Sequence, residues 1–162
     1  MARLIGDRLP PELVEALGDD ALAGEDQPAY LLSTCDDSGN PRISMLSVGE
    51  LVVPDDRHLR VALWQDTHTG HNLRAGRPAL FSSIAPGSVL YVRTDPAPLP
   101  APPGSRLDFF ELTVTAVESD EHIGMPVTSG ITFTTAGADA GHDDIVATWR
   151  RQRGLLAAAP RS

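Results

Sequence analysis

The densest run of chemistry-bearing side chains lies between Trp64 and Arg74, where Gln65, Asp66, Thr67, His68, Thr69, His71 and Asn72 crowd together. It follows the alternating apolar segment His58 to Trp64 and precedes Gly76 and Pro78. Thr67 can cap a short helix by accepting from a backbone N–H, and Gly76 and Pro78 stop it. A helix N-terminus presents free N–H groups and a positive dipole end, and Thr67 and Thr69 add hydroxyls, so the stretch can cradle a small anion. An ordinary capped helix with solvated histidines explains the same residues. Trp64 either stacks on a ring system or fills the mouth of the core.

Other chemistries find less support. His68 and His71 share a helical face, but a third zinc ligand would have to come from His58, His122, His142 or a distant carboxylate. With no HExxH and no paired Cys/His spacing, no metal is expected. No G-x-S-x-G elbow and no G-x-G-x-x-G turn appear, and no catalytic residue can be assigned. The only cysteine, Cys35, sits in an apolar run and reads as a buried, inert thiol in a reducing cytoplasm.

Composition narrows the partners. There are 13 basic and 22 acidic residues, a formal charge of −9, which repels phosphate backbones and anionic lipid. Neither nucleic acid nor membrane is expected, and no run approaches the ~20 apolar residues that span a bilayer. The 162 residues, 41% hydrophobic, suit one domain that buries its own core.

The elements that must hold these side chains read as follows. Pro10 and Pro11 open an N-terminal helix over about 10–23. Strands follow at Pro28 to Cys35 and at Pro41 to Val53, the second bent at Gly49, and then at His58 to Trp64. On that last strand Leu59, Val61 and Leu63 take one face, with His58 and Arg60 on the other. Further strands read at Ala79 to Ile84, Val89 to Thr94, Leu107 to Glu118 and Ile131 to Thr135. Five prolines between Asp95 and Gly104 predict an extended, polyproline-like loop. Asp143 or Asp144 can cap a C-terminal helix over about 145–159, docked through Trp149, with Arg150, Arg151 and Arg153 suiting its dipole. The sum is a mainly β antiparallel barrel with short flanking helices.

Taken in order, Ala29 to Thr34, Gly39 to Ser44, Leu59 to Trp64, Thr67 to Arg74 and Arg77 to Leu80 resemble the pyridoxamine 5'-phosphate oxidase-like FMN-binding split-barrel family. In that family a Ser/Thr-x-Lys-x-x-Asn-Leu segment precedes a proline and the next strand; Thr67, Thr69, Asn72, Leu73 and Pro78 fall on it here, with Thr69 in place of the lysine. A basic residue often found on the second strand falls on Ser44. The likeness covers residues 28 to 95; beyond Pro96 it is one of length and strand order. It implies an antiparallel split β-barrel of about six or seven strands, a homodimer, and FMN at its interface serving an oxidoreductase for a small organic substrate. Carried over, Thr67, His68, His71 and Asn72 stand on the phosphate side. Ser44, Met45 and Leu46 border the ring, with Trp64 and Gln65 nearby. The two missing cations leave open a deazaflavin, haem, or a non-catalytic binding or scaffold protein that has lost FMN.

Overall fold

A computed structural model describes residues 1–161. Strand β1 is Arg3–Gly6, helix α1 Pro11–Ala16, and a 3-10 turn Asp19–Leu22 follows. Then come β2 Asp26–Pro28, β3 Tyr30–Cys35, β4 Pro41–Leu46, a 3-10 turn Val48–Glu50, β5 Leu51–Asp55 and β6 His58–Trp64. Helix α2 is His68–Arg74. Strands β7 Ala79–Ala85, β8 Ser88–Leu99, β9 Leu107–Ser119 and β10 Thr132–Thr134 lead to helix α3, His142–Ala158. The main sheet runs β4-β3-β7-β8-β9-β6-β5, every pair antiparallel, with β1 added to β9 beyond the end of β6. Its path of seven antiparallel strands, with β1 as an eighth off the path and helices at the flanks, is the split barrel that the resemblance implies; β2 and β10 form a separate ribbon.

The inner face carries the core: Leu32, Leu46, Leu59, Val61, Phe81, Val92, Phe110, Leu112 and Val114. Alternation puts His58 and Arg60 on the face of β6 opposite Leu59, Val61 and Leu63. Arg60 and Ala62 are buried there, because the C-terminal end of α3 lies over them with Leu99, Phe109, Leu156 and Ala159. Arg60 Nε donates to Glu111 Oε2 at 2.9 Å, and its Nη1 donates to the carbonyls of Leu156, Ala157 and Ala159 at 3.0, 2.8 and 2.9 Å. The last carbonyls of a helix outnumber the amides that can reach them; Leu156 O accepts from Ala159 N as well, and the arginine reaches all three, capping α3 from the sheet.

Several local expectations change. The stretch 10–23 is broken into α1 and a 3-10 turn. Pro28 to Cys35 is divided, since β2 pairs with β10 while β3 joins the main sheet. The bend at Gly49 falls in the 3-10 turn Val48–Glu50, closed by a capping box in which the Ser47 N–H and hydroxyl both donate to Glu50 Oε2. Burial pushes the Glu50 carboxyl up despite these bonds.

The proline run is not all loop, because β8 continues to Leu99 with Pro96 opposite Leu112 and Pro98 opposite Phe110. Pairing with β7 stops at Thr94, so this stretch of β8 is a sheet edge with respect to β7, where proline's missing N–H is tolerated. Gly141, not an aspartate, is the N-cap of α3, with Asp143 and Asp144 in its first turn.

Two further corrections concern single residues. Cys35 is exposed, being the last residue of β3 at the hairpin into β4. Arg153 is buried rather than spread toward the helix dipole. Its Nη1 donates to the carbonyls of Val48 and Leu51 at 2.9 and 2.6 Å, and its Nη2 to Leu17 O and Asp19 Oδ1 at 2.9 and 3.0 Å.

Trp149 docks α3 edge-on to Phe133 and flat on Gly49, where an added Cβ would stand 2.1 Å from the indole Cγ. Gly49→Ala therefore forces the indole or the turn to move and should cost about 1–3 kcal/mol, read as a lower urea midpoint at unchanged slope. A midpoint equal to that of the parent chain would show that α3 does not depend on this contact.

Glu111 also receives Arg161 Nε at 2.7 Å. Desolvation, the largest influence, pushes its carboxyl up, but the hydrogen bonds from Arg161 and Arg60 outweigh it and the net shift is downward. A carboxyl lowered on folding stabilises the fold above its unfolded value, about 4.3, and that stability is lost as pH falls through the folded value. Stability should therefore fall on acidification below about pH 4.3, and less steeply in Glu111→Gln, as followed by urea unfolding at stepped pH. Equal acid slopes in the two chains would remove the pair from the account.

Candidate functional site

The turn from β6 into α2 passes through Asp66, whose φ of 61° makes it the one non-glycine residue in the left-handed region among the described residues. Aspartate tolerates that conformation better than most side chains. Thr67 then takes an extended backbone, and its Oγ1 accepts from Gly70 N at 3.1 Å, closing the N-cap. Gly76, at φ 73°, follows the end of α2, and Pro78 bars further helix. Leu73 faces inward and joins the core.

Two polar pairs seat α2 on the sheet. Ser44 Oγ and Thr69 Oγ1 are 2.7 Å apart, tying α2 to β4. Asn72 Nδ2 donates to Thr34 Oγ1 at 3.0 Å, tying α2 to β3, and Arg77 Nη1 donates to Asn72 Oδ1 at 2.9 Å. Thr34, Thr69 and Asn72 are buried, so each pair replaces bonds to water that the groups have lost. Arg74 pairs with Asp108 on β9.

Of the nine residues carried from the sequence, the structure thus brings Ser44, Thr67 and Asn72 into one hydroxyl–amide cluster around α2. His68 and His71 are exposed on the same helix. Leu46 is buried in the core, whereas Met45 and Trp64 are 65% and 61% exposed and Gln65 is also exposed.

Thr34 and Arg77 complete it; the sequence marks neither as a site residue, because nothing local joins them to Asn72. Among the described residues, no three His, Cys, Asp or Glu side chains converge on a metal position. His58 Nδ1 instead meets Asp55 Oδ1, and His142 Nδ1 meets Thr135 Oγ1.

Register supplies one free cation. Arg42 stands opposite Thr34 and two residues before Ser44, so it shares the face of β4 on which α2 sits. It is exposed and makes no salt bridge or hydrogen bond among the described residues.

No protein-family model matches the chain. The sequence is 26% identical over 141 residues to Uncharacterized protein YclD of Bacillus subtilis (strain 168), covering 86% of this chain and 89% of that one. A pyridoxamine 5'-phosphate oxidase-like protein from Lactobacillus delbrueckii superimposes with a TM-score of 0.57 at 17% identity, over 72% of this chain and 98% of the other. The styrene monooxygenase flavin reductase of Pseudomonas putida S12 does so with a TM-score of 0.50 at 11% identity, over 71% and 94%. The chain therefore has the split-barrel fold of pyridoxamine 5'-phosphate oxidase-like proteins and flavin reductases.

The seating of α2 can be checked directly. Asn72→Ala leaves the Thr34 hydroxyl buried without its donor and should cost about 1–3 kcal/mol in urea unfolding. It should also raise amide exchange across His68–Arg74 more than elsewhere. Uniform exchange with no loss of stability would show that α2 is held by Leu73 alone.

Proposed function

We infer that this chain is a flavin-binding oxidoreductase acting on a small organic substrate as a cytoplasmic homodimer, with FMN as the flavin. The observation that carries the reading is the placement of Arg42, Ser44, Thr67 and Thr69 around one end of α2 in a split barrel. The residues fit a phosphorylated flavin in a particular way. Thr69 and Ser44, where the family resemblance expects cations, are neutral and hydrogen-bonded to each other. Arg42, His68 and His71 are exposed at the surface, with no salt bridge among the described residues, and would meet the phosphate there. Met45 and Trp64 offer exposed apolar surface to a ring.

A bound flavin supplies the hydride chemistry; the protein binds it, orients it and keeps water from it. Here α2 orients, through the Ser44 and Asn72 contacts, and Arg42 binds. The dimer is supported by β4, an edge strand that exposes Ile43 and Met45 on one face, a surface that is costly to leave in water. No helix is long and apolar enough to cross a membrane. An exposed free thiol at Cys35 suits a reducing compartment.

A second reading, a split barrel that has lost FMN and binds another ligand or none, is favoured by the mutual Ser44–Thr69 bond, which uses hydroxyls that would otherwise face an anion.

A visible spectrum of the purified full-length protein, followed by FMN titration, separates the two. Saturable FMN binding is expected. Arg42→Ala should weaken it about tenfold or more, the worth of one charge-assisted hydrogen bond, and Thr69→Lys should tighten it. A colourless protein that ignores FMN, with Thr69→Lys alone restoring binding, would establish the second reading.

A further inference from the structure

At the other end of the strand order from β4, helix α1, the 3-10 turn Asp19–Leu22, β5 and α3 enclose an open cleft of about 600 Å³. That volume is in the range of small-molecule sites. Val14, Leu17, Val52 and Val53 make its walls apolar, while Arg150, Arg153 and Asp19 bring charge to it. Arg153 is 7% exposed; its Nη atoms are committed to backbone carbonyls and Asp19, and its buried Nε has no acceptor. Arg150 is exposed and has no ion pair or hydrogen bond among the described residues. Two guanidinium groups against one carboxylate make the cleft locally positive in a chain of charge −9.

A third observation is independent of charge. Gly154 lies inside α3, where glycine is the poorest helix former after proline, and it lines this cleft. A Cβ built on it meets nothing within 4 Å, so no close approach inside the protein requires a glycine there. The space beside it is the cleft itself, which a larger side chain would fill.

We propose that this cleft binds a small amphiphilic carboxylate, its apolar body against Val14, Leu17, Val52 and Val53 beside Gly154, and its carboxylate paired with Arg150. A planar guanidinium fork matches a carboxylate with two parallel hydrogen bonds. The positive charge of Arg153 behind it favours an anion over a neutral or cationic head. The site is separate from the α2 cluster and does not depend on a flavin.

The test is calorimetric titration of the full-length protein with decanoate, decanol and decylamine, which share a chain and differ in head group. Decanoate should bind once per chain, and decanol and decylamine at least about tenfold more weakly. Arg150→Gln, a change at an exposed side chain, should remove most of the preference for decanoate over decanol. Gly154→Phe, with its helical circular dichroism confirmed, should abolish binding of all three. Arg42→Ala should bind decanoate as the parent chain does. The proposal is overturned by absence of saturable decanoate binding, by decanol binding as tightly as decanoate, or by parental affinity in both Arg150→Gln and Gly154→Phe.

Discussion

Arg60 holds the two halves of this structure together. It rises from the outer face of β6, shares Glu111 with Arg161, and donates to three carbonyls at the end of α3. A helix end cannot be buried with its last carbonyls unpaired, and a sheet cannot bury a lone guanidinium; each solves the other's problem. Because α3 is pinned there, its apolar residues Leu156 and Ala159 dry the surface over Ala62 and Phe109. One turn earlier on α3, Arg153 does the same for the N-terminal part of the chain by gathering carbonyls from Leu17, Val48 and Leu51. Breaking a buried pair such as Arg60–Glu111 by removing one partner costs about 3–5 kcal/mol, so Arg60 is a constraint rather than decoration.

The α2 region is built on the opposite principle. Its contacts with β3 and β4 are neutral hydroxyl and amide bonds, and Arg42, His68 and His71 are exposed at the rim. A lysine at position 69, buried to 3%, would need an anion beside it to offset desolvation, whereas Thr69 is satisfied by Ser44 whether or not a ligand is present. Charges at the rim act through water and salt and are weaker than a buried, preorganised cation. The arrangement exchanges affinity for a surface that is stable by itself. The cleft beside α3 reverses this balance, since there a guanidinium is held fixed and a glycine leaves room next to it.

Much of this was legible in the residues. The alternation of Leu59, Val61 and Leu63 marks β6, and the Thr67 cap with Gly76 and Pro78 delimits α2 to within a residue. Order and spacing from Ala29 to Leu80 pointed to the split barrel. What failed did so where a residue's partner is distant. The burial of Arg60 was not legible because the helix that covers it is about a hundred positions away. Pro96 and Pro98 looked like loop because only the sheet shows that they pair with β9 beyond the point where β7 ends. Cys35 looked buried because its run is apolar, but it ends a strand at a hairpin.

The sequence by itself marked most of the core strands, the short helix after β6 and the C-terminal helix, and the stretch that concentrates donors, because periodicity, capping and turn chemistry act over a few residues; it missed β1 and the strand character of the proline run. Tertiary structure alone decided that Ser44 meets Thr69, that Asn72 meets Thr34, and that Arg42 is left free beside them. Those outcomes depend on strand register and on which face α2 covers, and register is set by the burial of the whole sheet rather than by any local pattern.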